Sequence, residues 1–154
     1  MSTCITTIRT MLNRRSGHIS FQNAALTQFF INEQLEDGSV ALKALNTETG
    51  KERWSYSEGL LSLSTSPIVA GEKVYVTSQG NLYILSVKSG KELEVIKHEA
   101  VINSLAANNK LVVVADLGAG VTAYDLKSKK AKWSYTNDSF DIKNRPQVTL
   151  FDNK

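Results

Sequence analysis

Two histidines and one cysteine are the residues of this chain most able to bind a metal ion or to carry out acid–base chemistry. They are His18, His98 and Cys4. Protein zinc sites place cysteine and histidine ligands at short, regular spacings, and neither histidine has such a neighbour in sequence. We therefore predict no metal site and interpret both histidines as surface or capping residues. A single cysteine also leaves no intrachain disulfide.

Other motifs that could support catalysis are incomplete. Ser64, Thr65 and Ser66 supply hydroxyl groups, but the sequence places no histidine beside them to activate a nucleophile. The run from Gly118 to Gly120 lacks the third glycine and the following helix of a dinucleotide-binding loop, so we interpret it as a hairpin turn. We predict no catalytic, cofactor-binding or metal-binding residue and no cofactor. Whether the chain is an enzyme stays open, with a non-enzyme favoured.

A group of lysines near one predicted turn is the clearest charged patch in the sequence. Its members are Lys127, Lys129, Lys130 and Lys132. Such a patch is usually a solvated turn, and the alternative is a site for an anionic partner.

The net charge of +3 comes from the N-terminal arm alone. Residues 1–32 contain three arginines and no acidic residue, so the rest of the chain is balanced at 15 basic and 15 acidic side chains. A balanced body gives no electrostatic reason to expect a nucleic-acid partner. No apolar run approaches the roughly 20 residues of a membrane-spanning helix. We predict a soluble protein whose compartment the sequence does not reveal.

The sequence divides into a basic arm, residues 1–18, and a repeat domain, residues 19–154. The arm is rich in hydroxyl groups and free of acids, as organellar transit peptides are, and it lacks the apolar segment of a secretory signal. A disordered leader and an outer strand of a partial first repeat are the other interpretations of this arm.

A fixed period of about forty residues runs through the repeat domain. Segments 44–54, 84–94 and 123–133 align without gaps, at offsets of 40 and 39 residues. The tripeptide Trp54-Ser55-Tyr56 recurs as Trp133-Ser134-Tyr135. A period of this size is typical of repeat architectures.

Each period predicts short β-strands joined by tight turns. In the second period, Gln79-Gly80 and Ser89-Gly90 mark turns between runs rich in β-branched and aromatic residues. That period supplies four predicted strands at 66–70, 73–77, 81–87 and 92–97. The neighbouring periods supply strands at 24–26, 29–32 and 39–45, at 105–107, 110–115 and 121–126, and at 145–148, where a fourth unit begins.

Four short antiparallel strands per period favour the blades of a β-propeller. A sandwich also has evenly spaced strands, but it does not require the same Gly-Lys-x-x-Trp motif at the same phase of each period. We predict an all-β fold of tandem four-stranded antiparallel blades, about three and a half in number, forming an open or fragmentary β-propeller.

The first period carries Ala44-Leu45-Asn46 followed by Thr49-Gly50-Lys51 and Trp54. It resembles the tryptophan-docking motif of the PQQ-like, quinoprotein-type β-propeller repeats, which read Ala-Leu-Asp-x-x-Thr-Gly-Lys-x-x-Trp between the third and fourth strands of a blade. The resemblance covers roughly residues 20–150. The later periods depart from it, with Glu94 at the tryptophan position and Lys129 at the glycine position.

The resemblance implies a structural role for the motif residues. Glycine permits the tight turn, and tryptophan buries a large flat surface against the adjacent blade. Gly50, Trp54, Gly90 and Trp133 are therefore predicted to dock one blade on the next. Ligand stacking by the tryptophans is the alternative. Glu94 predicts a weaker contact between blades in the middle of the array.

The resemblance also implies a choice between two functions. Family members that bind the quinone are dehydrogenases with more blades and a calcium–carboxylate cluster, and this sequence has no acidic motif with calcium-ligand spacing. Other members bind no quinone and act as protein-binding scaffolds, one group of them in bacterial outer-membrane protein assembly. We expect a non-catalytic protein-interaction scaffold, with a fragment of a quinoprotein-like oxidoreductase as the alternative. A propeller domain attached to a signalling enzyme is a weaker third hypothesis.

The number of repeats predicts what the domain contacts. Closed propellers usually have 4–8 blades, so three and a half would leave the ring open. We expect a protein partner, further blades of a longer propeller, or self-association to cover the open ends.

Overall fold

The computed structural model describes residues 27–63, 65–118, 120–137 and 146–150. These residues form eleven β-strands in three separate antiparallel sheets, which we number 1 to 3 along the chain. No helix in the described part of the chain is long and apolar enough to cross a membrane. The predicted arm of residues 1–18 lies outside the described residues.

Sheet 1 contains three strands in the order β1-β2-β3. They are β1 Gln28–Gln34, β2 Val40–Asn46 and β3 Glu52–Tyr56. In the predicted turn between β1 and β2, Gly38 has a φ of 84°, and the Asp37 carboxylate accepts the Ser39 amide at 2.9 Å. The short strand predicted at 24–26 lies outside the described residues.

Sheet 2 contains four strands in the order β4-β5-β6-β7. They are β4 Ile68–Ala70, β5 Lys73–Ser78, β6 Asn81–Ser86 and β7 Glu92–Lys97. The predicted hairpin joins β5 to β6, and Gln79 there adopts a φ of 55°, the left-handed conformation that a two-residue hairpin favours. β4 begins later than predicted, after Pro67, whose nitrogen has no hydrogen to donate to a sheet.

Sheet 3 also contains four strands, in the order β8-β9-β10-β11. They are β8 Ile102–Ala107, β9 Leu111–Asp116, β10 Gly120–Asp125 and β11 Ala131–Thr136. The Asn108 side chain closes the β8–β9 turn by accepting the amides of Lys110 and Leu111, each at 2.8 Å. β8 begins three residues before the strand predicted at 105–107.

The same irregularity occurs in all three sheets where the last two strands pair. The strand register shifts at Ala44/Leu45, Ile84/Leu85 and Ala123/Tyr124. The turn that joins these strands contains a left-handed residue in each case, with φ of 67° at Gly50, 68° at Gly90 and 63° at Lys129. Because these positions coincide in phase, the forty-residue sequence period is also a structural period, and the predicted all-β array of antiparallel sheets is confirmed.

Two apolar clusters form the core, one on each face of sheet 2. The first joins sheet 1 to sheet 2 and contains Phe30, Leu42, Ala44, Trp54, Tyr56, Leu60, Val74, Val76, Tyr83, Leu85 and Val87. The second joins sheet 2 to sheet 3 and contains Tyr75, Leu82, Ile84, Ile96, Ile102, Leu105, Val112, Val114 and Tyr124. Successive side chains of a strand point to opposite faces, so β5 and β6 contribute to both clusters.

Residues 146–150 run beside β8. The Asn103 side-chain amide donates to the Pro146 carbonyl at 3.2 Å, and the Val148 amide donates to the Ser104 hydroxyl at 3.1 Å. The sequence predicted a strand over 145–148 at the start of a fourth unit. The described part of that segment has no assigned strand, and side-chain hydrogen bonds hold it against sheet 3.

Tyr75 generates a prediction about alkaline stability. It is fully buried between sheets 2 and 3, and burial, with a smaller contribution from the charge of Glu94, raises the pKa of Tyr75 from 10.0 to about 12. The unfolded chain ionises this phenol first, so its contribution to stability is present below pH 10 and is lost as the pH rises to about 12. In urea unfolding over this range, the wild type should lose more stability than Tyr75→Phe.

The comparison has an internal control at neutral pH. No hydrogen-bond partner for the Tyr75 hydroxyl is found among the described residues, so Tyr75→Phe should lie within about 1 kcal/mol of the wild type at pH 7. Equal pH dependence of the two proteins would contradict a buried, neutral phenol.

Candidate functional site

The contact between sheets 1 and 2 centres on Trp54. Its indole N–H donates a hydrogen bond to the Val87 carbonyl at 2.9 Å, and the residue is 8% exposed. The ring comes so close to Gly90 that a β-carbon there would lie 2.5 Å from Trp54 Cε3. Since a β-carbon does not approach a non-bonded atom this closely, the glycine is what allows the ring to reach the turn.

Further contacts surround the tryptophan at this seam. The Gln28 side-chain amide donates to the same Val87 carbonyl at 2.6 Å, and the Tyr56 hydroxyl donates to the Glu92 carboxylate. The rings of Tyr56 and Tyr83 pack at a centroid distance of 6.2 Å. Burial, followed by the hydrogen bond to Glu92, raises the pKa of Tyr56. The seam therefore combines apolar burial with three hydrogen bonds that fix its register.

The seam between sheets 2 and 3 carries opposite charges at the corresponding positions. Glu94 stands where Trp54 stands one period earlier, and Lys129 stands where Gly90 does. The Lys129 amine lies 3.3 Å from the Glu94 carboxylate. An ion pair at the surface typically contributes about 1 kcal/mol or less. The weaker contact between blades that Glu94 predicts stays a prediction, and the structure identifies Lys129 as the partner of Glu94.

The four residues predicted to dock the blades fall into two groups. Trp54 and Gly90 meet each other across the first seam. Gly50 faces open space, because no described residue would lie within 4 Å of a β-carbon added there. Trp133, on β11, is 46% exposed. The docking role is a proposal that the contact between Trp54 and Gly90 supports.

A polar cluster that the sequence analysis missed lies between sheets 2 and 3. His98 Nδ1 is 2.7 Å from the Tyr124 hydroxyl, and His98 Nε2 is 2.7 Å from Asp116 Oδ2. The side chains of His98 and Asp116 are only 9% and 8% exposed. Of the two interpretations given for His98, surface or capping, the surface one is wrong, because the fold brings partners 18 and 26 residues away onto its ring. His18 lies outside the described residues.

Backbone hydrogen bonds hold this cluster in place. Asp116 Oδ1 accepts the amide of Gly118 at 2.7 Å and that of Gly120 at 3.2 Å. The backbone amide of His98 donates to the Gly80 carbonyl at 2.7 Å. The cluster thus joins the hairpin turn of sheet 2 to the β9–β10 turn of sheet 3. The spacing signal that could have revealed it is weak, since Asp116 is two residues before a glycine and resembles any turn aspartate.

The hydrogen bonds of the cluster give its side chains a structural use. Both ring nitrogens of His98 are bonded to protein groups, and both carboxylate oxygens of Asp116 are occupied as well. Burial, followed by the negative charges of Asp116 and Glu99, raises the pKa of Tyr124 and keeps its phenol neutral. Among the described residues, no group of three or more histidine, cysteine, aspartate or glutamate side chains could hold a metal ion.

The cluster lines an open cleft of about 480 Å³, and His98, Asp116 and Tyr124 all lie in its wall. Two apolar residues stand near it on the adjoining loops, Val101 at 42% exposed and Leu117 at 39%. The Leu117 amide donates to the Val101 carbonyl at 2.9 Å, so the two loops are held together. We refer to Val101 and Leu117 as the apolar rim.

The predicted lysine patch divides in the structure. Lys129 pairs with Glu94, whereas Lys127 and Lys132 line a second cleft of about 480 Å³ together with Lys73, Lys110 and Asp125. Lysines from both sheets 2 and 3 therefore meet there. An anionic partner at this cleft stays an expectation.

Comparison with known protein families shows which family the chain belongs to. Residues 10–97, more than half of the chain, match the family model described as outer membrane protein assembly factor BamB, a model of PQQ-like repeats. The chain belongs to the PQQ-like β-propeller repeat family. No curated protein matches it in a sequence search.

Solved structures share the fold at low sequence identity. BamB from Moraxella catarrhalis is 21% identical with a TM-score of 0.57, over 71% of this chain and 34% of that one. A europium-containing methanol dehydrogenase is 19% identical with a TM-score of 0.60, over 71% and 23%. The WD40 β-propeller domain of Doa1 is 14% identical with a TM-score of 0.61, over 74% and 38%.

These comparisons confirm the predicted fold class. The three sheets are blades of a partial β-propeller. The chain matches less than two fifths of the length of each of these structures.

Replacing Gly90 with alanine tests the first seam, and Gly38→Ala is the matched control. Each variant places a methyl group on a glycine with a left-handed backbone, at a cost of about 1–2 kcal/mol. At Gly90 the methyl would also meet the Trp54 ring, whereas at Gly38 it would meet no described residue within 4 Å. Overpacking costs about 1–3 kcal/mol more. Chemical denaturation should show a loss of about 3 kcal/mol for Gly90→Ala and about 1 kcal/mol for Gly38→Ala. Equal losses would mean that the Trp54 ring does not need a glycine at position 90.

The histidine cluster predicts a graded loss of stability. Asp116→Ala leaves the His98 ring and two backbone amides without their acceptor, so it should lower the free energy of unfolding by about 3 kcal/mol. Tyr124→Phe removes one hydrogen bond and should lower it by about 1 kcal/mol. Asp37→Ala, which removes an exposed turn carboxylate, serves as the control in thermal and urea unfolding. If Asp116→Ala cost no more than Asp37→Ala, the cluster would have no structural role.

Proposed function

We propose that this chain is a non-catalytic protein-interaction scaffold built from PQQ-like β-propeller repeats. The observation that carries the proposal is the set of hydrogen bonds made by the buried histidine and aspartate of the polar cluster. Both nitrogens of His98 and both oxygens of Asp116 are engaged in holding two turns together. A histidine used in this way holds the two turns in a fixed arrangement, which is a structural use of the side chain.

The surface beside this cluster has the character of a protein-binding site. Val101 and Leu117 are apolar and exposed on the rim. Apolar side chains are enriched at the centres of protein interfaces. A backbone hydrogen bond holds the two rim loops together, so little backbone entropy would be lost when a partner binds.

The similarity to BamB supports a scaffold role. The family model and one of the similar structures are described as BamB, an outer membrane protein assembly factor. Our proposal takes from this the binding of other proteins and leaves the identity of the partner open.

A fragment of a quinoprotein-like oxidoreductase is the second candidate. It is favoured by the structural similarity to a europium-containing methanol dehydrogenase. Hard cations in proteins are held by several oxygen ligands, whereas the histidine cluster offers one carboxylate that is already hydrogen-bonded. On this second hypothesis the oxygen ligands would have to come from outside the described residues.

Two measurements separate these functions. For the oxidoreductase, the purified chain is mixed with the quinone and with calcium or europium and passed through gel filtration. We expect no quinone absorbance to remain with the protein, and retained absorbance would contradict the scaffold proposal.

For the scaffold, the double variant Val101→Asp/Leu117→Asp is compared with the wild type in affinity capture from the source cell. A specific partner should be captured at least tenfold less by the variant, as expected when two interface-centre residues are removed. Leu93→Asp, which changes a residue 50% exposed on β7, is the control and should capture the partner normally. Circular dichroism checks that each variant is folded. Equal capture by all three proteins would show that the apolar rim is not the binding surface.

A further inference from the structure

The contact between sheets 1 and 2 has two sides that can be defined by sequence. One side is the tryptophan strand, Trp54-Ser55-Tyr56 on β3. The other is the glycine turn, Gly90-Lys91-Glu92 between β6 and β7. Across this contact the indole packs on the bare turn, and the Tyr56 hydroxyl donates to the Glu92 carboxylate. Each side therefore supplies one apolar and one polar element.

The same two sides recur at opposite ends of the array. Sheet 3 repeats the tryptophan strand as Trp133-Ser134-Tyr135, and sheet 1 repeats the glycine turn as Gly50-Lys51-Glu52, with the same residue types at every position. Trp133 is 46% exposed. A β-carbon at Gly50 would meet no described residue within 4 Å. Each end thus carries one half of a contact whose complete form is present inside the chain.

The contact between sheets 2 and 3 shows that the strand side and the turn side are matched in residue type. Where the outer strand has Glu94 in place of tryptophan, the turn that it meets has Lys129 in place of glycine, and the two pair at 3.3 Å. Tryptophan therefore meets glycine, and glutamate meets lysine. By this rule the strand of Trp133 requires a glycine turn, and the turn of Gly50 requires a tryptophan strand.

We propose that Trp133 of one copy of this chain packs on the Gly50 turn of a second copy, in a head-to-tail contact. The indole N–H would donate to the Thr47 carbonyl, which corresponds to that of Val87 one period later. Glu52 would take the place that Glu92 has one period later, and its carboxylate already pairs with the Lys43 amine at 3.4 Å. This inference does not depend on which of the two proposed functions is correct.

The number of blades makes two copies sufficient. A head-to-tail contact generates a ring when its rotation closes. Two copies, each with the three sheets that the described residues form, supply six blades, which lies within the range of about 4–8 found in closed propellers. In such a ring both strand–turn contacts are formed, so neither copy leaves its Trp133 or its Gly50 turn uncovered.

A complementation experiment tests the proposal with the full 154-residue chain, under reducing conditions that keep Cys4 from cross-linking. Trp133→Ala disables the strand side. Gly50→Lys fills the turn side with the residue that the chain itself carries at the corresponding position, Lys129, at a φ of 63°. Leu61→Ser removes a side chain that is 69% exposed and is the control. Circular dichroism checks the fold, and light scattering after gel filtration gives the mass.

The expected result is a mass of two copies for the wild type and for Leu61→Ser. Each of the other variants alone should have the mass of one copy, with the dissociation constant raised at least tenfold. An equimolar mixture of Trp133→Ala and Gly50→Lys should regain a two-copy species, because one intact strand–turn pair remains between unlike partners. A one-copy wild type, a two-copy Trp133→Ala, a mixture that stays at one copy, or assemblies larger than two copies would each overturn the proposal.

Discussion

The indole of Trp54 reaches the backbone of sheet 2 because Gly90 has no β-carbon, and the packing of the first two sheets depends on this approach. The turn at Gly90 is left-handed, with a φ of 68°, and the register shift at Ile84/Leu85 lies just before it in the same strand pair. Trp54 and Gln28 then share the Val87 carbonyl, whose oxygen has two lone pairs. Phe30 completes the packing with its ring centroid 5.6 Å from that of Trp54.

The features that could be predicted from the sequence are local or strictly periodic. Hairpin and turn signals such as Gln79-Gly80 and Ser89-Gly90 depend on a few adjacent residues, and they located the turns of sheet 2. The forty-residue period fixed the phase of the motif, so the strands around Gly50 and Gly90 fell where the structure has them. Strand ends were less accurate, as at β8, since pairing with a neighbouring strand extends a strand beyond its own propensity.

The contacts that escaped prediction join residues far apart in sequence. His98 contacts Asp116 and Tyr124 through the packing of sheet 2 against sheet 3, and neither His98 nor Asp116 belongs to the repeat motif. Glu94 and Lys129 were visible as departures from the repeat, but their pairing follows only when the strand of one blade is known to meet the turn of the next. A buried polar network of this kind is costly unless each member is satisfied, so it restricts how the two sheets can sit together.

The contact between sheets 1 and 2 and the contact between sheets 2 and 3 use different residue types, and this difference affects how the chain folds. Chains with near-identical repeats risk kinetic traps in which one unit pairs with the wrong neighbour. If sheet 1 packed on sheet 3, Trp54 would meet the Lys129 side chain. If sheet 2 packed on sheet 1, Glu94 would meet Gly50, which has no cationic side chain at the position of Lys129. Each mispairing leaves either a crowded ring or an uncompensated charge. The departures from the consensus motif therefore disfavour these two wrong arrangements of the blades.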